Sequence, residues 1–137
     1  MKKILILLIT FCLTACGLSG ENKVQNYGEK VNYSNGKEIK YPDFTFKFSG
    51  THQKGFPLPD SATKMTLYDF QITKGDKKQT VSWSSGTGDI GPSFFYVDGV
   101  DYVLEMKQSE VNKEPLGEGN VVIWKRSDFE GALKNKK

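Results

Sequence analysis

The sequence predicts an all-β fold, a small antiparallel sandwich or partly open barrel, with one short C-terminal helix. Two observations carry this. Several segments after Tyr41 alternate apolar and polar residues with a period of two, and Gly- and Asp-containing turn signals separate them. A helical spacing of apolar residues arises only at the C-terminal end. The chain shows no internal repeat and no second composition zone, so one domain is expected.

The elements follow in order. In "DFTFKFSG", Phe44, Phe46 and Phe48 fall on one face and Thr45 and Lys47 on the other, as in a half-buried strand. "MTLYDFQIT" repeats the pattern with Tyr68, Phe70 and Ile72. After the turn signal Lys74-Gly75-Asp76, "QTVSWSS" sets Val81 and Trp83 against Thr80 and Ser82, which predicts a hairpin. "SFFYVDGVDYVLEM" predicts another, because Asp98-Gly99 suits a type I′ turn whose two central residues both need positive φ. That turn sets Val97 opposite Val100, Phe95 opposite Tyr102 and Ser93 opposite Leu104. Tyr96 then pairs with Asp101 and Phe94 with Val103 on the other face. A last strand, "NVVIWK", follows a loop from Asn112 to Gly119.

At the end, Ser127 and Glu130 stand in the S-x-x-E relation of a capping box, and Phe129 and Leu133 share one helical face. Gly131 weakens this helix by about 1 kcal/mol relative to Ala. A helix so short needs the sheet to support it.

The first residues, "MKKILILLITFCLTAC", join Lys2 and Lys3 to an apolar run from Ile4 to Leu13 and small residues before Cys16. This is the layout of an export signal, and the run is short for a membrane span. Leu13-Thr14-Ala15-Cys16 resembles the lipobox of bacterial lipoprotein precursors. The resemblance implies cleavage before Cys16 and lipidation of its sulfur, with diacylglyceryl and amide-linked acyl groups holding the chain firmly on a membrane. Gly17, where an Asp commonly favours inner-membrane retention, points to the outer membrane facing the periplasm. Gly17 to about Lys40 is rich in Asn, Gly, Ser, Lys and Glu and reads as a flexible tether. The expected division is a signal peptide over 1–15, a lipidated tether over 16–40 and a β-rich domain over 41–137.

Cys12 leaves with the signal, so no intramolecular disulfide is expected and the core must supply stability. The formal charge of +3 falls to +1 once Lys2 and Lys3 are removed. Such a balance gives no electrostatic case for nucleic acid.

Gly86-Thr87-Gly88-Asp89-Ile90-Gly91 spells G-x-G-x-x-G. A dinucleotide site needs those glycines between a strand and a helix, whose N-terminus receives the pyrophosphate. Here Pro92 and "SFFYV" follow, so the outgoing element is a strand and no nucleotide cofactor is expected. The glycines then permit unusual backbone angles in a wide loop, while Ser84, Ser85, Thr87, Asp89 and Ile90 are candidates for touching a partner. Phe56 and Leu58 in "GFPLPDS" are a weaker candidate surface.

His52 is the only histidine and has no second ligand in the pattern of a zinc site. No G-x-S-x-G elbow marks a nucleophile. His52 with a serine and Asp89 is the one arithmetic possibility for a small hydrolase. Two functions from different classes are therefore expected. One is a lipid-anchored binding module for another envelope protein, as an inhibitor or immunity-type protein against an exported hydrolase or toxin. The other is a structural or assembly accessory of an envelope complex, held by edge strands and the terminal helix.

Overall fold

In a computed structural model, the structure describes residues 23–55, 64–85, 91–106 and 117–135. Two four-stranded antiparallel sheets pack face to face. The strands are β1 (Lys30–Ser34), β2 (Glu38–Lys40), β3 (Thr45–Gly55), β4 (Lys64–Lys74), β5 (Lys77–Ser85), β6 (Ser93–Val97), β7 (Val100–Glu105) and β8 (Glu118–Lys125), followed by α1 (Arg126–Lys134). One sheet has the order β2-β3-β4-β5 and the other β1-β8-β7-β6. The architecture is the sandwich among the two expected forms.

The period-two alternation places the core. Phe46, Phe48, Tyr68, Phe70, Ile72, Val81 and Trp83 project inward from one sheet, and Val31, Tyr33, Phe95, Tyr102, Leu104, Val121 and Ile123 from the other, all buried in one cluster. Aromatic pairs knit it together: Phe46 stacks on Phe70 across β3 and β4 at 4.7 Å, and Tyr33 meets Phe70 edge-on at 5.2 Å from the opposite sheet. A domain of this size can bury roughly 65% of the surface its unfolded chain exposes, and filling that interior with rings stabilises it.

Both expected hairpins form, and the one at Asp98-Gly99 has the expected register. Val97 pairs with Val100, Phe95 with Tyr102 and Ser93 with Leu104. Asp98 at φ 43° and Gly99 at φ 90° give the turn its two left-handed residues. Gly75 and Asp76 close the β4–β5 hairpin between paired Lys74 and Lys77.

Two expectations need correction. The tether was expected to reach Lys40, but Lys30–Ser34 and Glu38–Lys40 are strands. β1 pairs with β8, and its Val31 and Tyr33 are buried, so the fold begins well before Tyr41. Upstream of β1, Val24 bridges Lys40 and Gln25 N–H donates to the Lys40 carbonyl, which covers the free edge of β2. The second correction is the helix cap. Lys125 occupies the N-cap without a side-chain hydrogen bond, and the Ser127 hydroxyl donates to Asp128 at 3.2 Å. β8 runs directly into the helix, which therefore starts one residue before Ser127.

On the outer face of the second sheet, Val103 is 0% exposed although it stands outside the main core cluster. Its register partners Phe94 and Trp124 flank it, Phe129 of α1 approaches Trp124 at 6.1 Å, and Arg126 lies 5.5 Å from the Phe94 ring. These contacts form a small second cluster and give the helix its support. Among the described residues, no helix is long and apolar enough to cross a membrane.

Candidate functional site

Antiparallel pairing fixes which strand ends meet. β3, β5 and β7 run one way, and β4, β6 and β8 the other. The two sheets are held in step where β5 faces β6, because Gln79 Nε2 donates to the Tyr96 carbonyl at 2.7 Å and Ser93 Oγ to the Ser82 carbonyl at 2.8 Å. Gly55, Lys64, Ser85, Gly91, Met106 and Gly117 consequently gather at one end, here the loop end. The opposite turn end carries the turns Gly75-Asp76 and Asp98-Gly99 and the start of α1.

This arrangement locates the sequence candidates. Ser84 is a half-buried residue of β5 opposite Leu67, and Ser85 is the last residue of that strand, opposite Thr66. Thr87, Asp89 and Ile90 lie outside the described residues, as do Cys16, Phe56 and Leu58. The strands that flank residues 56–63 and 86–90 end side by side, so both candidate segments depart from the loop end.

The turn end holds a polar cluster that the sequence did not suggest. Tyr27 Oη and Tyr102 Oη donate to the same oxygen of Asp43, at 2.8 and 2.9 Å. Lys125 Nζ lies 4.0 Å from that oxygen and 5.2 Å from the centre of the Tyr27 ring. Hydrogen bonds from Tyr27 and then Tyr102 hold the Asp43 carboxyl below the usual carboxylate range. Burial, with the hydrogen bond to Asp43 next, pushes the Tyr27 phenol far up. Burial likewise raises Tyr102, to about 12. With phenols this hard to ionise, the cluster is suited to clasping the entering chain.

Between the two turns lies a half-open groove of about 440 Å³, with Ile72 and Val97 in its floor and Tyr96, Lys74, Lys77, Lys78 and Asp98 around it. Lys74 and Lys77 both pair with Asp98, at 3.2 and 3.1 Å, and their hydrogen bonds lower its pKa. Lys78 has no ion-pair partner among the described residues. The groove exists because two hairpin turns, distant in sequence, meet across the seam between β5 and β6. A Lys-Gly-Asp-Lys-Lys turn was its one sequence signal.

His52 has a partner other than Asp89. Its Nδ1 lies 2.7 Å from Asp69 Oδ2, and Ser82 Oγ donates to Asp69 Oδ1 at 2.5 Å. The order is His-Asp-Ser, with the carboxylate in the middle. A nucleophilic serine needs the imidazole between it and the acid, so this row has the composition of a triad without its connectivity. The described residues contain no group of three or more His, Cys, Asp or Glu side chains that could hold a metal ion.

Compared with known proteins, the chain matches no protein-family model, no curated protein sequence and no solved structure. Its function is therefore argued from the geometry of its two ends.

Proposed function

We propose that this chain is a lipid-anchored binding module of the cell envelope, held to a membrane through Cys16 and presenting its loop end to an exported hydrolase or toxin. The observation that carries the reading is the asymmetry of the sandwich. The connections 56–63, 86–90 and 107–116 all leave from one end, while short turns and the Tyr27–Asp43 clasp close the other. Variable loops on a rigid β base are a common way to build a recognition surface. The glycine-rich segment from Gly86 to Gly91 belongs to that set, with Asp89 and Ile90 as its contact residues.

The anchor also gains a length. Cys16 to Lys23 is 23 − 16 = 7 residue steps, which span at most about 25 Å when fully extended. A domain on so short a lead stays beside its membrane. It meets partners at that surface, as a protective inhibitor needs to do when the attacked target is in the envelope.

Two measurements test this reading. Labelled palmitate should enter the precursor and not its Cys16→Ser variant; equal labelling of both removes the anchor. The chain from Gly17, used as bait against envelope and secreted fractions, should capture an exported protein that loop variants such as Asp89→Ala with Ile90→Ala release. Stable co-purification with one membrane complex, unaffected by those variants, would favour an assembly accessory instead. Such an accessory could use the outward-facing Phe94 and Tyr96, which are 57% and 60% exposed.

A further inference from the structure

The entry of the chain and the lysine-rich groove share one end of the sandwich. Val24 bridges Lys40, Lys40 pairs with Thr45, Thr45 with Thr73, and Thr73 with Lys78. These five residues form one row across the sheet, so Lys78 stands about 19 Å from Val24 at the usual strand spacing. The loop end is at the far ends of the same strands. An anchor with a reach of about 25 Å attached at this end therefore keeps the turn end within reach of the lipid headgroups.

We propose that the groove between the Gly75-Asp76 and Asp98-Gly99 turns binds the anionic headgroup of a membrane phospholipid, which orients the domain with its loops away from the bilayer. The inference rests on the lipid-anchored reading for its choice of ligand. Its chemistry comes from the groove itself. Lys74, Lys77 and Lys78 line it with a single carboxylate, Asp98, leaving two positive charges over. Lys74 and Lys77 converge on the single Asp98 carboxylate, and Lys78 has no ion-pair partner among the described residues. A phosphodiester can take two or three ammonium donors as a point-charge site.

The remaining lining suits the rest of such a molecule. Ile72 and Val97 offer an apolar floor for glycerol and the first methylenes. Tyr96, an amphipathic ring at the mouth, is of the type that favours the boundary between hydrocarbon and water. A volume of about 440 Å³ holds a headgroup and not a whole lipid. Gln79 bonded to the Tyr96 carbonyl and the lysines bonded to Asp98 tie the walls together across the seam, so the groove is formed before any ligand arrives.

The test uses the chain from Gly17, which keeps every residue of both sheets and of the core, with vesicles of phosphatidylcholine alone or doped with phosphatidylglycerol. Sedimentation should show binding to the doped vesicles only. Lys77→Gln with Lys78→Gln should weaken that binding about thirtyfold, since each lysine near an anionic surface contributes roughly a fivefold factor. The control pair Lys47→Gln with Lys54→Gln, on exposed positions of β3, removes the same charge and should change it little. Amide resonances of Gln79 and Tyr96 should move on titration with short-chain phosphatidylglycerol. Equal loss in both lysine pairs, or equal binding to both vesicles, overturns the proposal. So does inorganic phosphate that moves those resonances as effectively as the lipid, because the site would then serve a free anion. Failure here with normal palmitate labelling of the precursor leaves the anchor standing, and the reverse result isolates failure of the anchor.

Discussion

Tyr27 donates a 2.8 Å hydrogen bond to Asp43, and through it a segment ahead of the first strand is fastened to the residue that leads into β3. The same carboxylate oxygen accepts from Tyr102 of β7, so one acid joins the entering chain to both sheets. Tyr27 also stacks on Tyr41 at 5.3 Å and leans on Tyr102 at 5.4 Å. This clasp fixes the entering chain against both sheets.

Tyr102→Phe should destabilise the domain by about 1–2 kcal/mol, because it removes a hydrogen bond to a charged acceptor and leaves the ring packed. Tyr27→Phe should cost less, since its ring is more exposed than that of Tyr102. The double variant should cost less than the sum if the two phenols compensate for each other on the shared oxygen. Urea unfolding of the four proteins checks this, and strict additivity would show that the two phenols act independently on the carboxylate.

The clasp also sets two edges of pH stability. The folded pKa of Asp43 is lowered, so its contribution is present above the unfolded value of about 3.9 and is lost as pH falls through the folded value. For Tyr102 the folded value is raised to about 12, so its contribution is present below about 10 and disappears as pH rises from there toward 12. Asp43→Asn should flatten the acid limb of a stability profile, and Tyr102→Phe the alkaline limb. An unchanged acid limb in Asp43→Asn would assign acid unfolding to other carboxylates.

Gly28 tests how tightly the entering segment is seated. Its N–H donates to the Ile123 carbonyl, its φ is +81°, and an added Cβ would stand 2.9 Å from the Trp124 ring. Gly28→Ala should cost about 2 kcal/mol or more from left-handed strain and displacement of that ring. Gly36→Ala is the comparison, because φ is +74° there but nothing lies within 4 Å. It should cost only about 1 kcal/mol. Equal costs in the two would mean that Trp124 yields freely.

The legible parts of the fold are those governed by neighbours in sequence. The Asp98-Gly99 turn set the register of β6 and β7 because its backbone geometry admits few alternatives. β1 and β2 were hidden because they are short, and β1 pairs with β8 from the other end of the chain. Their apolar residues, Val31, Tyr33 and Ile39, look isolated until that partner is placed. The partnership of His52 with Asp69 was not legible for a different reason. A bulge between Phe48 and Gly50 shifts the register by one, so His52 falls on the outer face with Asp69 rather than inward in phase with Phe48. The lysine groove needed two turns to meet across a seam, which no window of sequence contains. Ser84 and Ser85 belong by sequence to the glycine loop, but β5 runs on through Ser85, and the loop beyond them was legible only as composition.

The last prediction concerns that loop. Gly86 to Gly91 joins β5 to β6, whose facing edges are already tied by Gln79 to the Tyr96 carbonyl and by Ser93 to the Ser82 carbonyl. Stability at this seam therefore has sources other than the loop side chains, and Asp89→Ala with Ile90→Ala should change the unfolding free energy by less than about 1 kcal/mol. Binding is another matter. A partner that uses the loop would donate charge-assisted hydrogen bonds to Asp89 and seat Ile90 in an apolar pocket, so the double variant should lose affinity at least tenfold, about 1.4 kcal/mol. Capture of the same partner at wild-type affinity would remove the loop from the interface and leave 56–63 and 107–116 as the contacts at that end. A loss of several kcal/mol in stability would instead place Ile90 in the core, because deletion of a side chain in water has no such cost.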